Sequence, residues 1–114
     1  MSNSEIVEKK AEPVEETYHY RITPTHYLRY DGETRDWDLE VHLPGVAKDH
    51  VKFKVLPDAF FLEATRDKAI YELSEYFPFE IDVGSVKGKY ENGLLSITGK
   101  IKDAMDDATE IKIA

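Results

Sequence analysis

The 114-residue chain contains no cysteine, which excludes disulfides, thiol catalysis and cysteine-based zinc sites. It also lacks a basic surplus: 15 Lys and Arg face 23 Asp and Glu, for a formal net charge of −8. Nucleic acids and anionic membranes recruit proteins through basic patches that release counterions, so neither is an expected partner. The negative charge reads instead as a solubility device that discourages self-association. No apolar run approaches the roughly eighteen residues of a membrane-spanning helix. The start, Met1-Ser2-Asn3-Ser4-Glu5, has neither the basic residues nor the apolar stretch of a secretory signal. The expectation is a soluble, cytoplasmic protein, and a reducing compartment fits the missing cysteine. What is present is ordinary globular material: 41% hydrophobic residues, enough for one domain with a single core but not for two.

Residues 1–17 hold five glutamates (Glu5, Glu8, Glu12, Glu15, Glu16) against Lys9 and Lys10, broken by Pro13. Such a segment cannot bury enough apolar surface to offset its ordering entropy, so it is predicted to be a disordered acidic arm. From residue 18 the texture changes. Tyr18, Tyr20 and Ile22 alternate with polar residues, Tyr27–Tyr30 follow Pro24, and Asp31-Gly32-Glu33 reads as a turn. Trp37, Leu39, Val41 and Leu43 share one face of the next strand, which Pro44-Gly45 stops. Val51, Phe53 and Val55 alternate with Lys52 and Lys54, a half-buried strand with a solvated basic face. Pro57-Asp58 turns the chain into Phe60, Leu62 and Ala64, with Phe61 and Glu63 opposite. Residues 71–83 are aromatic-rich and extended, and Pro78 suits an edge strand or a bulge there. Val86, Gly88 and Tyr90 pair through Asn92-Gly93 with Leu95, Ile97, Gly99 and Ile101. Asn-Gly is the strongest two-residue hairpin signal, because both turn positions need positive φ. Seven or eight short strands without a long helix predict an all-β, immunoglobulin-like antiparallel β-sandwich over residues 18–102. Residues 103–114 are a polar, acidic extension ending in Ile111-Lys112-Ile113.

With those residues in view, the chain from about Leu28 to Ile113 resembles the α-crystallin domain of small heat-shock proteins. Leu43-Pro44-Gly45-Val46-Ala47-Lys48-Asp49-His50-Val51-Lys52-Phe53 fits the family's Leu-Pro-Gly strand end and the segment after it. Gly88-Lys89-Tyr90-Glu91-Asn92-Gly93-Leu94-Leu95 fits its penultimate hairpin, with Gly88 where alanine is usual. Ile111 and Ile113 match its Ile-x-Ile tail. The hairpin motif is thus Asn92, Gly93, Leu94 and Leu95.

Two departures bear on assembly. Prokaryotic members swap a long loop with its own strand between subunits. Here only Thr65–Ile70 occupy that interval, about 20 Å when extended, enough for a hairpin and not for a donated strand. Leu73 also stands near the place of the family's usual arginine. Self-association into a dimer or small oligomer is therefore expected, but not through the usual loop-swapped dimer.

The resemblance implies that strands 51–55 and 85–91 lie near each other in different sheets, leaving an apolar groove lined by Val51, Phe53, Val55, Val86 and Tyr90. Ile111 and Ile113 project to the same side of an extended segment, so both fit such a groove by strand addition. The detachable tail is the preferred reading; the alternative is that Ile111–Ile113 form the last core strand. Phe61 and Leu94, on the outward phase of their strands, are candidates for an exposed apolar patch that binds clients.

The four histidines (His19, His26, His42, His50) show no metal-ligand spacing, and neither metal nor cofactor is expected. Asp36, Asp38 and Asp82 read as solvated carboxylates. No nucleophile elbow and no phosphate-cradling glycine loop is visible, so neither an enzyme nor ATP use is expected. Two functions fit: an ATP-independent chaperone that holds unfolding polypeptides and prevents their aggregation, or a CS-domain-like adaptor that docks on a larger chaperone or folded partner. The short 65–70 connection suits the adaptor; the Asn-Gly hairpin, Leu-Pro-Gly and Ile-x-Ile suit the chaperone.

Overall fold

The computed structural model describes residues 20–114; the arm expected at 1–17, with Tyr18 and His19, lies outside them. Eight strands follow in order: β1 (Tyr20–Ile22), β2 (His26–Tyr30), β3 (Asp36–His42), β4 (Val51–Leu56), β5 (Ala59–Arg66), β6 (Ala69–Tyr76), β7 (Ile81–Glu91) and β8 (Leu94–Ile101). They form two four-stranded sheets, β1-β6-β5-β4 and β2-β3-β8-β7. The alternation of side chains explains the layering. In β3, Trp37, Leu39 and Val41 are buried while Asp36 and His42 are exposed. In β5, Phe60, Leu62 and Ala64 are buried while Phe61 and Glu63 are exposed. One apolar face from each sheet meets the other, and β6 and β8 complete the core with Tyr71, Leu73, Leu95 and Ile97. This is the predicted sandwich.

The turns follow their residues. Asn92 (φ 50°) and Gly93 (φ 81°) both adopt the left-handed region, as a two-residue hairpin between right-twisting strands requires. The interval 65–70 is another tight hairpin: Arg66 pairs with Ala69, leaving only Asp67 and Lys68 outside the ladder. All but two residues of that interval are already spent on β5 and β6.

One expectation and one alternative reading need correction. The aromatic stretch 71–83 is not one edge strand. It is divided between β6 and β7, Pro78 lies in the link, and β6 sits inside its sheet. The reason is β1, which pairs with β6 in parallel, Tyr20 against Ala69 and Ile22 against Tyr71. The sandwich is therefore antiparallel except along that one seam. The last isoleucines are not a core strand either. After Ile101 the chain makes a single 3₁₀ turn, Ala104–Asp107, and Ile111 and Ile113 are 70% and 85% exposed.

Candidate interaction groove

β4 and β7 are edge strands of opposite sheets, and they lie along the same flank of the sandwich. Between them runs a groove of about 590 Å³, floored by Val51, Phe53, Val86, Tyr90, Leu95 and Ile97. Period-2 alternation in β4 turns Val51, Phe53 and Val55 toward the core and Lys52 and Lys54 to solvent. Phe53 is held by Phe60, ring centroids 5.9 Å apart and nearly parallel at 27°. Val55 packs against the core but lies outside the groove lining. Of the five residues expected to line it, Val51, Phe53, Val86 and Tyr90 are brought together and Val55 is not.

The other wall depends on an irregularity. The β7–β8 register runs Asp82 against Lys100 and then Lys87 against Thr98, so the ladder is interrupted between Asp82 and Lys87. Ser85 repairs the gap: its hydroxyl donates to the Asp82 carbonyl at 2.6 Å and accepts the Lys100 N–H at 2.8 Å. A bulge of this kind bends a strand and re-aims side chains, and here Val86 comes to face the groove.

Tyr90 anchors the groove's end. Its hydroxyl lies 2.9 Å from the Leu43 carbonyl and 2.7 Å from that of Val46, so the single proton is shared between them. Burial pushes the phenol's pKa up, with nearby Tyr71 adding to the effect, which keeps Tyr90 a donor. The two sequence motifs meet at the same point. The Leu43 N–H donates to the Gly93 carbonyl at 2.7 Å, and a Cβ on Gly93 would stand 3.3 Å from Pro44 Cα. Arg66 donates to the Pro44 carbonyl at 2.9 Å. Gly93 and the Tyr90 hydroxyl thus clamp the Leu43–Val46 turn, Asn92 shares the tight turn that presents Gly93, and Leu95 contributes floor. The roles of Leu95 and Ile97 and the Tyr90 clamp were not visible in the sequence, because their partners lie in distant segments.

The expected apolar patch is not formed by Phe61 and Leu94 together. Phe61 faces out from the β5 sheet, 40% exposed, and shares a depression with Leu56, Ala59 and Tyr76. Leu94 lies in the other sheet, paired with His42 and half-buried. The pattern gave their phase correctly but could not say that the two strands belong to opposite layers.

A concavity of about 840 Å³ lies on the outer face of the β2-β3-β8-β7 sheet, lined mostly by residues that carry charged or hydroxyl groups. Arg29 bridges Asp38 (2.7 Å) and Glu40 (2.9 Å), and Lys100 pairs with Asp36 (2.6 Å). These groups satisfy one another at the surface. His26 lies between the Pro24 carbonyl (2.9 Å) and Glu75 (3.2 Å), and His42 meets the Tyr27 ring edge-on at 6.1 Å. Among the described residues no group of three or more His, Asp or Glu is placed to hold a metal ion. No helix among them is long and apolar enough to cross a membrane.

No family model and no curated protein matches the sequence. Solved structures do. The chain superposes on heat shock protein 16.0 from Schizosaccharomyces pombe with a TM-score of 0.62 at 18% identity, over 82% of this chain and 97% of that one. A small heat-shock protein from Xylella fastidiosa gives 0.63 at 13% identity, over 82% and 97%. Small heat shock protein AgsA from Salmonella typhimurium, in a C-terminally truncated form, gives 0.58 at 20% identity, over 82% and 99%. With the sheet order and strand count above, these matches identify the fold as the α-crystallin β-sandwich found in small heat-shock proteins.

Proposed function

We propose that this protein is an ATP-independent holdase that captures extended apolar segments of unfolding polypeptides in the β4–β7 groove. The observation that carries this reading is the groove itself, an apolar trough between two strand edges. Its occupant in the resting state is the protein's own tail, from the same or a neighbouring copy. Ile111 and Ile113 are both exposed and fall on one side of an extended segment. Burying each isoleucine stabilises by ~1.5–3 kcal/mol, while ordering each of the tail residues costs ~1–2 kcal/mol. The two nearly cancel. Such a tail docks and releases readily, and a client segment competes for the same trough without nucleotide. The partners are unfolded or partly folded proteins, and a cytoplasmic setting belongs to the same proposal.

A heat-labile client whose aggregation is followed by light scattering tests this. Suppression at near-stoichiometric amounts without nucleotide is expected. Absence of suppression, together with tight binding to a single folded partner, would favour the adaptor reading, which the two-residue β5–β6 hairpin supports. For the tail, Ile111→Ala with Ile113→Ala should reduce the mass of any tail-linked oligomer and leave the fold intact. An unchanged mass would refute the tail's role.

A further inference from the structure

The sandwich has four strand edges, β1, β2, β4 and β7, and open edges invite pairing with other chains unless something blunts them. Three are blunted against a copy of themselves. β1 is three residues long. β4 carries Lys52 and Lys54, and β7 carries Lys87 and Lys89 beside its bulge, so self-pairing of either would crowd like charges. An extended segment of different sequence, such as the tail, is not excluded by those lysines. β2 has none of these devices. It is five regular residues, His26-Tyr27-Leu28-Arg29-Tyr30, without lysine or bulge.

We infer that β2 is a homotypic interface, pairing antiparallel with β2 of a second copy about a two-fold axis at Leu28. The hydrogen-bond phase fits. The His42 N–H donates to the Thr25 carbonyl (2.9 Å) and the Asp31 N–H to the Asp36 carbonyl (3.0 Å). Together these contacts show that the odd-numbered residues turn their main chain toward β3, and that His26, Leu28 and Tyr30 turn theirs outward. Among the described residues nothing bonds to those outward groups. With Leu28 opposite Leu28 of the second copy, His26 falls opposite Tyr30, and each such pair exchanges both main-chain bonds. The side chains are also self-complementary. Tyr27 and Arg29 face outward from the sheet and fall opposite each other across the axis. Asp38 and Glu40 hold the guanidinium by its edge, leaving a face for the tyrosine ring of the second copy. This contact needs no donated loop, and the tight β5–β6 hairpin offers none.

The contact is small for an interface, so mass must be followed against concentration. Sedimentation of the full-length Ile111→Ala/Ile113→Ala chain removes assembly through the tail and keeps this test separate from the holdase reading. A reversible species of twice the 13.1 kDa chain mass is expected. Tyr27 is 53% exposed, so Tyr27→Lys spares the fold; it places a lysine against Arg29 of the second copy and should weaken the dimer about tenfold or more. The natural chain has no cysteine, so Leu28→Cys in that background reports directly. Paired residues about 5.5 Å apart lie within disulfide reach, and mild oxidation should give a covalent dimer where Lys54→Cys gives none. Monomer alone up to about 1 mM, a dimer indifferent to Tyr27→Lys, or cross-linking at position 54 in preference to 28 would each overturn the inference.

Discussion

Along one flank of the sandwich β4 and β7 face each other with no chain running directly between them, and Val51, Phe53, Val86 and Tyr90 are left half-buried. Along the other, Thr23-Pro24-Thr25 carries the chain straight from β1 in one sheet to β2 in the other, and Pro24 is buried. His26 on β2 reaches Glu75 on β6 at 3.2 Å, and Tyr30 packs edge-on against Phe79 with centroids 4.9 Å apart. Both flanks border the same core. An unbroken series of rings connects them, Phe53 to Phe60 to Phe77 to Phe79 to Tyr30. The groove is therefore not a patch of unusual hydrophobicity. It is the stretch where the two layers meet beside the 43–50 link, which Tyr90 ties down at one end, with no crossing along the trough itself.

The most severe way to break this comparison is to remove its shared member. Phe60 has no exposed surface and contacts rings on both sides, so Phe60→Ala should cost about 3–5 kcal/mol. Urea unfolding followed by the single tryptophan, Trp37, measures it. Loss of less than about 1 kcal/mol would mean that the ring series is not structural support. Next comes the floor beneath Trp37. A Cβ on Gly99 would lie 2.7 Å from Trp37 Cζ2, and the indole N–H is already committed to the Lys100 carbonyl at 3.2 Å. Gly99→Ala should destabilise by about 1–3 kcal/mol through overpacking and shift Trp37 emission while the groove stays intact.

A smaller change separates the flanks. Tyr90→Phe keeps the ring in the groove but removes the proton shared between the Leu43 and Val46 carbonyls. The expected cost is about 1 kcal/mol. Amide exchange should quicken at Leu43 and Val46, whose N–H groups hold the turn, and not at His42, bonded to Thr25 on the other flank. Uniform quickening would show that the clamp serves the whole fold and not one flank.

Much of the architecture was legible because burial imposes period-2 patterns: Trp37, Leu39, Val41 and Leu43 could not be satisfied otherwise, and Asn92-Gly93 admits few turns. The unread parts share a different physics. β1 is three residues long with all three exposed, so the alternation of Tyr20 and Ile22 could not announce its parallel pairing, and the role of β6 as an interior strand was hidden with it. The bulge rests on the Ser85 hydroxyl, and the clamp on the Tyr90 hydroxyl; polar bonds to distant main chain leave no periodic trace. Phase was readable for Phe61 and Leu94, whereas layer was not, since alternation tells which face a residue takes but not which sheet. The groove was anticipated through resemblance, and its lining differs by Val55 because β4 runs on past the trough.

The gentlest probe acts on neither flank and so serves as the control. Asp36 and Lys100 pair at 2.6 Å on the outer face of the β2-β3-β8-β7 sheet. The lysine's hydrogen bond, with that of Thr34, holds the Asp36 carboxyl below its ordinary pKa of 3.8. A carboxyl lowered in the folded state stabilises fully above its unfolded pKa, and that contribution is lost as pH falls through the lower folded value. The native chain should thus exceed Asp36→Asn slightly in urea stability at neutral pH, and the two curves should converge below pH 3.8. Because the pair is fully solvated, salt should shrink the difference as well. A gap that persists in acid would mean that the Asp36 side chain acts through its hydrogen bond with the Thr34 hydroxyl and not through its charge pair with Lys100.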